Sequence, residues 1–161
     1  MPPPQGAQPS PEGTGPMFKN ILLTVDLTHP ESWAAAMPQA VELARVGGAI
    51  LHVVSVVPDY GMPLVAGFFP DDFAHKALAK AREALKKIVA DGVPADIEVR
   101  RHVAYGEIHH EVLKTIESTR VDLVVMASHA PDTVREFLVG SHADRIVRRS
   151  PVSVLVVRAQ G

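Results

Sequence analysis

Between Ile21 and Val157 the chain alternates short β-branched runs with longer stretches of helical apolar spacing, and this alternation limits its folds more than any other feature. The runs are Ile21 to Val25, Ile50 to Val57, Ile97 to Val103, Leu123 to Met126 and Val152 to Val157. Between the first two, Trp33, Ala36, Met37, Ala40, Val41 and Ala44 keep the spacing of one helix face, and Gly47-Gly48 stops the helix. A second helix is expected from about Asp71 to Asp91, with Phe73, Ala77, Ala81, Leu85 and Ile88 on one side and Asp91-Gly92-Val93-Pro94 as its stop. The third, from Ile108 to about Ser118, should bury Ile108, Val112 and Ile116. A fourth begins near Ser141, should bury Ile146 and Val147, and is broken by Ser150-Pro151.

Strict strand-helix alternation demands crossovers, crossovers make neighbouring strands parallel, and a parallel sheet must be covered on both faces. The expected architecture is therefore a three-layer, doubly wound α/β domain with a five-stranded parallel sheet in the order 3-2-1-4-5. Ligands in such sheets sit beyond the carboxyl ends of the strands where the winding reverses, here between the first and fourth strands. The loops to inspect follow Val25 and Met126.

At 161 residues the chain has the size of one domain, with residues 17–161 as its extent. Residues 1–16 are rich in Pro, Gly, Gln and Ser, have no apolar spacing that could bury a face, and are expected to form a disordered tail. Met17, directly before Phe18-Lys19-Asn20-Ile21, is a second candidate start. Without cysteine, the chain has no disulfides, thiolate metal sites or cysteine nucleophiles. Its 16 Lys and Arg against 18 Asp and Glu give no overall field to gather nucleic acid or an anionic membrane. The apolar runs are too short to span a bilayer and no secretory leader precedes them, so a soluble cytoplasmic protein is expected.

The loop after the first run reads Asp26-Leu27-Thr28-His29-Pro30. The loop after the fourth reads Ala127-Ser128-His129-Ala130-Pro131-Asp132 and leads through Leu138-Val139 to Gly140-Ser141 and a helix. Together with Asp122-Leu123-Val124-Val125-Met126, Ala143-Asp144-Arg145-Ile146-Val147 and the closing Ser150 to Val157, these make residues 18–158 resemble the universal stress protein family. The resemblance implies the adenine nucleotide alpha hydrolase-like fold. ATP-binding members carry Gly-x-x-Gly, nine residues, then Gly-Ser/Thr after the fourth strand. In this chain Ala127 and Ala130 replace the first two glycines, residues 131–139 fill the gap, and Gly140-Ser141 match. Glycine suits such positions because backbone N–H groups must approach phosphate oxygens without a Cβ in the way. The Ala-Ser-His-x-Pro-Asp wording resembles a branch of the family that keeps nucleotide despite these alanines.

The resemblance implies ATP or AMP as ligand, with magnesium as an option beside ATP, and a lining of Thr24, Val25, Asp26, Val53, Met126, Ala127, Ser128, His129, Ala130, Gly140, Ser141, His142 and Ala143. Asp26 matches the family's acidic group on the ribose hydroxyls, which a carboxylate suits as an acceptor of two donors. Thr24 stands where the family often has proline. Val53, in the pair His52-Val53, matches the valine whose main chain reads the adenine edge. His129 and His142 flank the phosphate region and can donate to it.

Each residue also has a plainer reading: Asp26 as an Asx-turn acceptor, Ser141 as a helix cap, Gly140 as a turn residue, and His52 as a satisfied core histidine. His109-His110 and the His129 and His142 pair lack the convergence of a metal site, so none is expected. Arg145, Arg148 and Arg149 complement a helix carboxyl end better than they contact nucleic acid. The apolar connector from Asp59 to Pro70 reads equally as a lid, a subunit contact or a loop folded over the core. The last strand, apolar on both faces at a sheet edge, predicts a homodimer, with a tetramer as the larger assembly the resemblance admits. Functionally, the leading expectation is a nucleotide-binding regulator of the stress response, with an unknown protein partner and a membrane transporter as one candidate. The alternatives are a slow ATP hydrolase without identifiable catalytic residues and a non-nucleotide-binding dimeric interaction module.

Overall fold

The computed structural model describes residues 15–59, 73–128 and 140–158. Among the described residues five strands and five helices run in the order β1 (Asn20–Thr24), α1 (Glu31–Ala34), α2 (Ala36–Gly47), β2 (Ile50–Pro58), α3 (Phe73–Gly92), β3 (Val99–Gly106), α4 (Ile108–Thr119), β4 (Leu123–Ser128), α5 (Ser141–Arg149) and β5 (Ser153–Arg158). All four strand pairings are parallel and the sheet order is β3-β2-β1-β4-β5, as the alternation predicts.

Because side chains alternate across a strand, the sheet divides its apolar residues between two faces. Ile21, Leu23, Leu51, Val53, Leu123 and Val125 pack beneath α2, with Leu85 of α3 in the same cluster. On the other face Leu22, Val54, Val124 and Met126 meet Val112 and Ile116 of α4 and Ala143 and Ile146 of α5. The central strands β1 and β4 are buried along nearly their whole length, as a sheet covered on both sides requires.

Four sequence expectations are corrected. The first helix is two, broken at Ala35, because the Pro38 ring has no N–H to offer and crowds the carbonyl four residues back, at Ala34. Trp33 accordingly lies on the short first piece, half-buried against the core. β3 starts at Val99 and runs to Gly106, since Ile97 is held in a turn by its N–H to the Pro94 carbonyl at 3.2 Å. In α4 the inward residue at the first turn is His109, while Ile108 is half-buried. Val147 is 44% exposed, because the short α5 turns only the narrow stripe of Ala143 and Ile146 toward the sheet.

Gly48 closes α2 at φ +62°, and its N–H and that of Ala49 return to the Arg45 and Ala44 carbonyls. At the amino ends of the strands, Lys19 and Asn20 donate their N–H groups to the Asp122 carboxylate at 2.8 and 3.1 Å, clamping β1 to β4. Beside them lies a histidine pair, His52 buried and His102 half-buried. His52 on β2, 2% exposed, places Nε2 3.2 Å from Asn20 Oδ1 and Nδ1 2.9 Å from His102 Nε2. A neutral His52 that donates to Asn20 and accepts from His102 satisfies both contacts. His52 is thus the satisfied core histidine.

Candidate functional site

The winding reverses between β1 and β4, and the chain beyond Thr24 is organised around Asp26. Asp26 Oδ1 accepts the Thr28 N–H at 2.9 Å and the Thr28 hydroxyl at 2.7 Å, while Oδ2 lies 2.9 Å from His29 Nδ1. The buried Ser32 hydroxyl fixes the aspartate's own main chain, accepting its N–H at 3.0 Å. Partial burial pushes the Asp26 carboxyl up, but the Thr28 hydroxyl and amide, with His29, outweigh it and hold the group below the usual carboxylate value. Asp26 is therefore an ionised acceptor near neutrality, half-buried at the rim of the crevice.

Across the reversal, β4 ends at Ser128 and α5 opens after Gly140. Gly140 sits at φ −48° and ψ 154°, an extended conformation, and no side chain caps the helix. The first intrahelical bond is Asp144 N–H to the Gly140 carbonyl at 2.9 Å, so the N–H groups of Ser141, His142 and Ala143 precede the hydrogen-bonded ladder. Among the described residues nothing accepts them. Together with the helix dipole they make this end of α5 attractive to an anion. Although the His142 side chain reaches solvent, its ring stacks on the buried His109 ring with centroids 6.3 Å apart. Burial of that face, with His109 and Arg145 nearby, pushes the His142 imidazole below its usual value, while Glu107 and Asp26 pull it the other way.

The sequence-predicted lining divides accordingly. Thr24, Asp26, Ser128, Gly140, Ser141, His142 and Ala143 lie at the ends of β1 and β4 or the start of α5. Val25 is buried, with its N–H on the Val54 carbonyl at 2.9 Å. Met126 and Ala127 lie within β4, buried on opposite faces of the sheet. His129 and Ala130, residues 131–139 and most of the apolar connector before α3 fall outside the described residues. A hollow lined by Ala44, Gly48, Ile50 and Ile97 lies at the other, amino end of the strands.

Val53 is the residue whose surroundings differ most from the sequence reading. It is fully buried and lies inside both ladders, opposite Leu23 and Arg101. In a parallel pair both main-chain groups of a residue face the same neighbour, and successive residues alternate. The Val25 bond to the Val54 carbonyl shows that Val54 faces β1, so Val53 faces β3 and Val56 faces the β1 side. The pairing of β1 with β2 stops at Thr24 and Val54, leaving the Val56 N–H and carbonyl directed past the end of β1, without a backbone partner among the described residues. Pro58 obeys the same alternation, because its missing N–H falls where the β3 ladder needs none. The parity of a strand's hydrogen bonds, which depends on register, separates Val56 from Val53; two neighbouring valines in a row give no such signal.

Among the described residues no helix is long and apolar enough to cross a membrane, and no group of three His, Asp or Glu is placed to hold a metal ion.

Residues 17–158 match the model of the universal stress protein family. Universal stress protein G of Escherichia coli O157:H7 is 29% identical over 144 residues, which span 88% of this chain and 100% of that protein. Universal stress protein UspA from Lactobacillus plantarum superposes with a TM-score of 0.67 at 23% identity, covering 87% of this chain and 97% of the other. A universal stress protein solved in complex with cAMP gives a TM-score of 0.56 at 20% identity, with 88% of this chain and 97% of that one aligned. A family match that runs from residue 17 to residue 158 makes this chain a member of the universal stress protein family.

Proposed function

We propose that this chain is a regulatory protein that binds an adenine nucleotide, ATP or AMP, in the crevice between the ends of β1 and β4. The observation that carries the reading is an ionised, pre-organised carboxylate at Asp26 after β1 and the open amino end of α5 at Gly140 to Ala143 after β4, the two strands between which the winding reverses. A nucleotide has two features that suit such a pair: vicinal ribose hydroxyls that donate, and phosphates that seek N–H groups. Asp26 takes the ribose. The amides of Ser141, His142 and Ala143 take phosphate, joined by the segment Ala127 to Ala130, whose alanines would leave their N–H groups as available as glycine wherever the backbone is extended.

Val56 replaces Val53 as the main-chain contact for the base in this reading, because its donor and acceptor face the crevice side together, the pattern that the adenine edge complements. A relative of the same fold solved in complex with cAMP supports a nucleotide as the ligand. The sequence carries no Walker-type lysine, and in this reading recognition is the main chemistry and nucleotide-dependent assembly the output. β5 supports a homodimer: it is one edge of the sheet, pairs with β4 alone among the described residues, and leaves Leu155 36% exposed.

Nucleotide released by denaturing the purified protein, separated and identified by mass, tests the reading. Adenine nucleotide near one per chain is expected from the wild type and little from Gly140→Arg, whose side chain fills the start of α5. Equal, trace amounts from both, with no later uptake of added ATP, would contradict it.

A further inference from the structure

We propose that His109 and His142, backed by Glu107 and Arg145, form a proton-taking anion subsite at the amino end of α5 that prefers the dianionic terminal phosphate of a nucleotide to a monoanionic phosphodiester. This rests on the nucleotide reading and adds to it the charge state the site selects.

His109, the second residue of α4, is 6% exposed, and its Nδ1 is a buried polar atom with no hydrogen-bond partner. Glu107 Oε1 lies 3.3 Å from that nitrogen but outside hydrogen-bonding geometry, so it supplies charge without satisfying it. The His109 ring stacks on His142, whose own N–H is one of the three open amides of α5. Glu107 Oε1 also lies 3.5 Å from the Arg145 guanidinium. The charged groups around the pair are thus Glu107 at the start of α4, Arg145 and Asp144 on α5, and Asp26 from the loop after β1. Asp144 is occupied by Arg148 at 2.9 Å.

In the free protein partial burial, with the stacked His109 ring and Arg145 nearby, holds the His142 imidazole below its usual value. A phosphate at the α5 amides adds negative charge on the outer side of the pair, while Glu107 already supplies it on the inner side. His142 then takes up a proton, and the gain grows with the charge of the phosphate. A terminal phosphate near neutrality carries close to two charges, whereas a cyclic diester carries one. Because the complex binds the extra proton, affinity for the terminal phosphate rises as pH falls from about 8 toward the second phosphate ionisation near about 6.

Calorimetric titration of the full chain with AMP and with 3′,5′-cyclic AMP, in two buffers of different ionisation enthalpy at about pH 7.5, counts the protons directly. Uptake approaching about one proton is expected for AMP and distinctly less for the cyclic nucleotide. His142→Asn keeps a donor but cannot titrate, and is expected to abolish the uptake and narrow the preference for AMP by roughly 3- to 10-fold. Glu107→Gln, at an exposed side chain that leaves folding intact, should lower the uptake without touching the α5 amides. AMP binding with proton release, or with the same uptake and affinity in His142→Asn as in the wild type, overturns the subsite and leaves the nucleotide site standing. Failure of both nucleotides to bind the wild type overturns both.

Discussion

Asp26→Asn separates the structural from the binding role of the residue that organises the crevice. The carboxylate accepts Thr28 N–H and hydroxyl on one oxygen and faces His29 Nδ1 on the other. Asparagine keeps a single acceptor and no charge, so the Thr28 bonds become neutral and the His29 contact is exchanged for an amide donor. Hydrogen bonds to a charged group contribute about 1.5–3 kcal/mol and neutral ones about 0.5–1.5. The side chain is 41% exposed, and solvent screening reduces the combined loss to about 1 kcal/mol. Urea unfolding at about pH 7 should show that loss as a lower midpoint with an unchanged slope. The lowered folded pKa means that the carboxylate's contribution is complete above the unfolded value and disappears as pH falls through the folded one. The two stability curves should therefore converge in acid, below about pH 4.

Binding should respond more strongly. Two ribose hydroxyls donating to a carboxylate lose the charge assistance of both bonds and meet an N–H₂ donor at one of them, about 2–3 kcal/mol, or roughly 30- to 150-fold in Kd for ATP. Isothermal titration below the unfolding transition of both proteins measures this apart from stability. If the midpoint falls as calculated while Kd changes less than about 3-fold, Asp26 only orders the loop and the ribose assignment fails.

Three further changes test other parts of the account. Gly48→Ala, at φ +62° with open space around the site, should cost about 1 kcal/mol from backbone strain alone, read as a lower melting temperature with unchanged nucleotide affinity. Burial, with His102 and Arg100, pushes His52 below its usual value, so its contribution is full above the unfolded histidine value and is lost as pH falls; urea midpoints between about pH 7 and pH 5 should drop more steeply for the wild type than for His52→Gln. Leu155→Arg on the exposed edge of β5 should convert a dimer into a monomer in analytical ultracentrifugation while preserving the monomer's circular dichroism; an unchanged mass would remove β5 from the interface.

The sheet order was legible because buried parallel strands must be continuously apolar and each crossover helix carries its own stripe, features that Ile21 to Val25, Leu123 to Met126 and Ala36 to Ala44 display plainly. Where the reading slipped, a single residue or a local turn decided the structure against the pattern. Pro38 split a helix whose apolar spacing ran straight through the break, and the turn onto Pro94 delayed β3 past the apolar Ile97. The crevice was legible as a place, since the reversal of winding follows from strand order. Its finer contents depend on register and on contacts between distant elements. Nothing in the sequence distinguishes Val53 from Val56 before β1 is known to end at Thr24, and Glu107, His109 and His142 meet only when α4 and α5 pack side by side.

Calorimetric titration of nucleotide-free protein with ATP, run beside Gly140→Arg, tests the central claim most directly. The account predicts saturable binding of one nucleotide per chain to the wild type and its loss in the variant, both proteins being folded by circular dichroism. Absence of ATP and AMP binding to the folded wild type, or undiminished binding by Gly140→Arg, would contradict it.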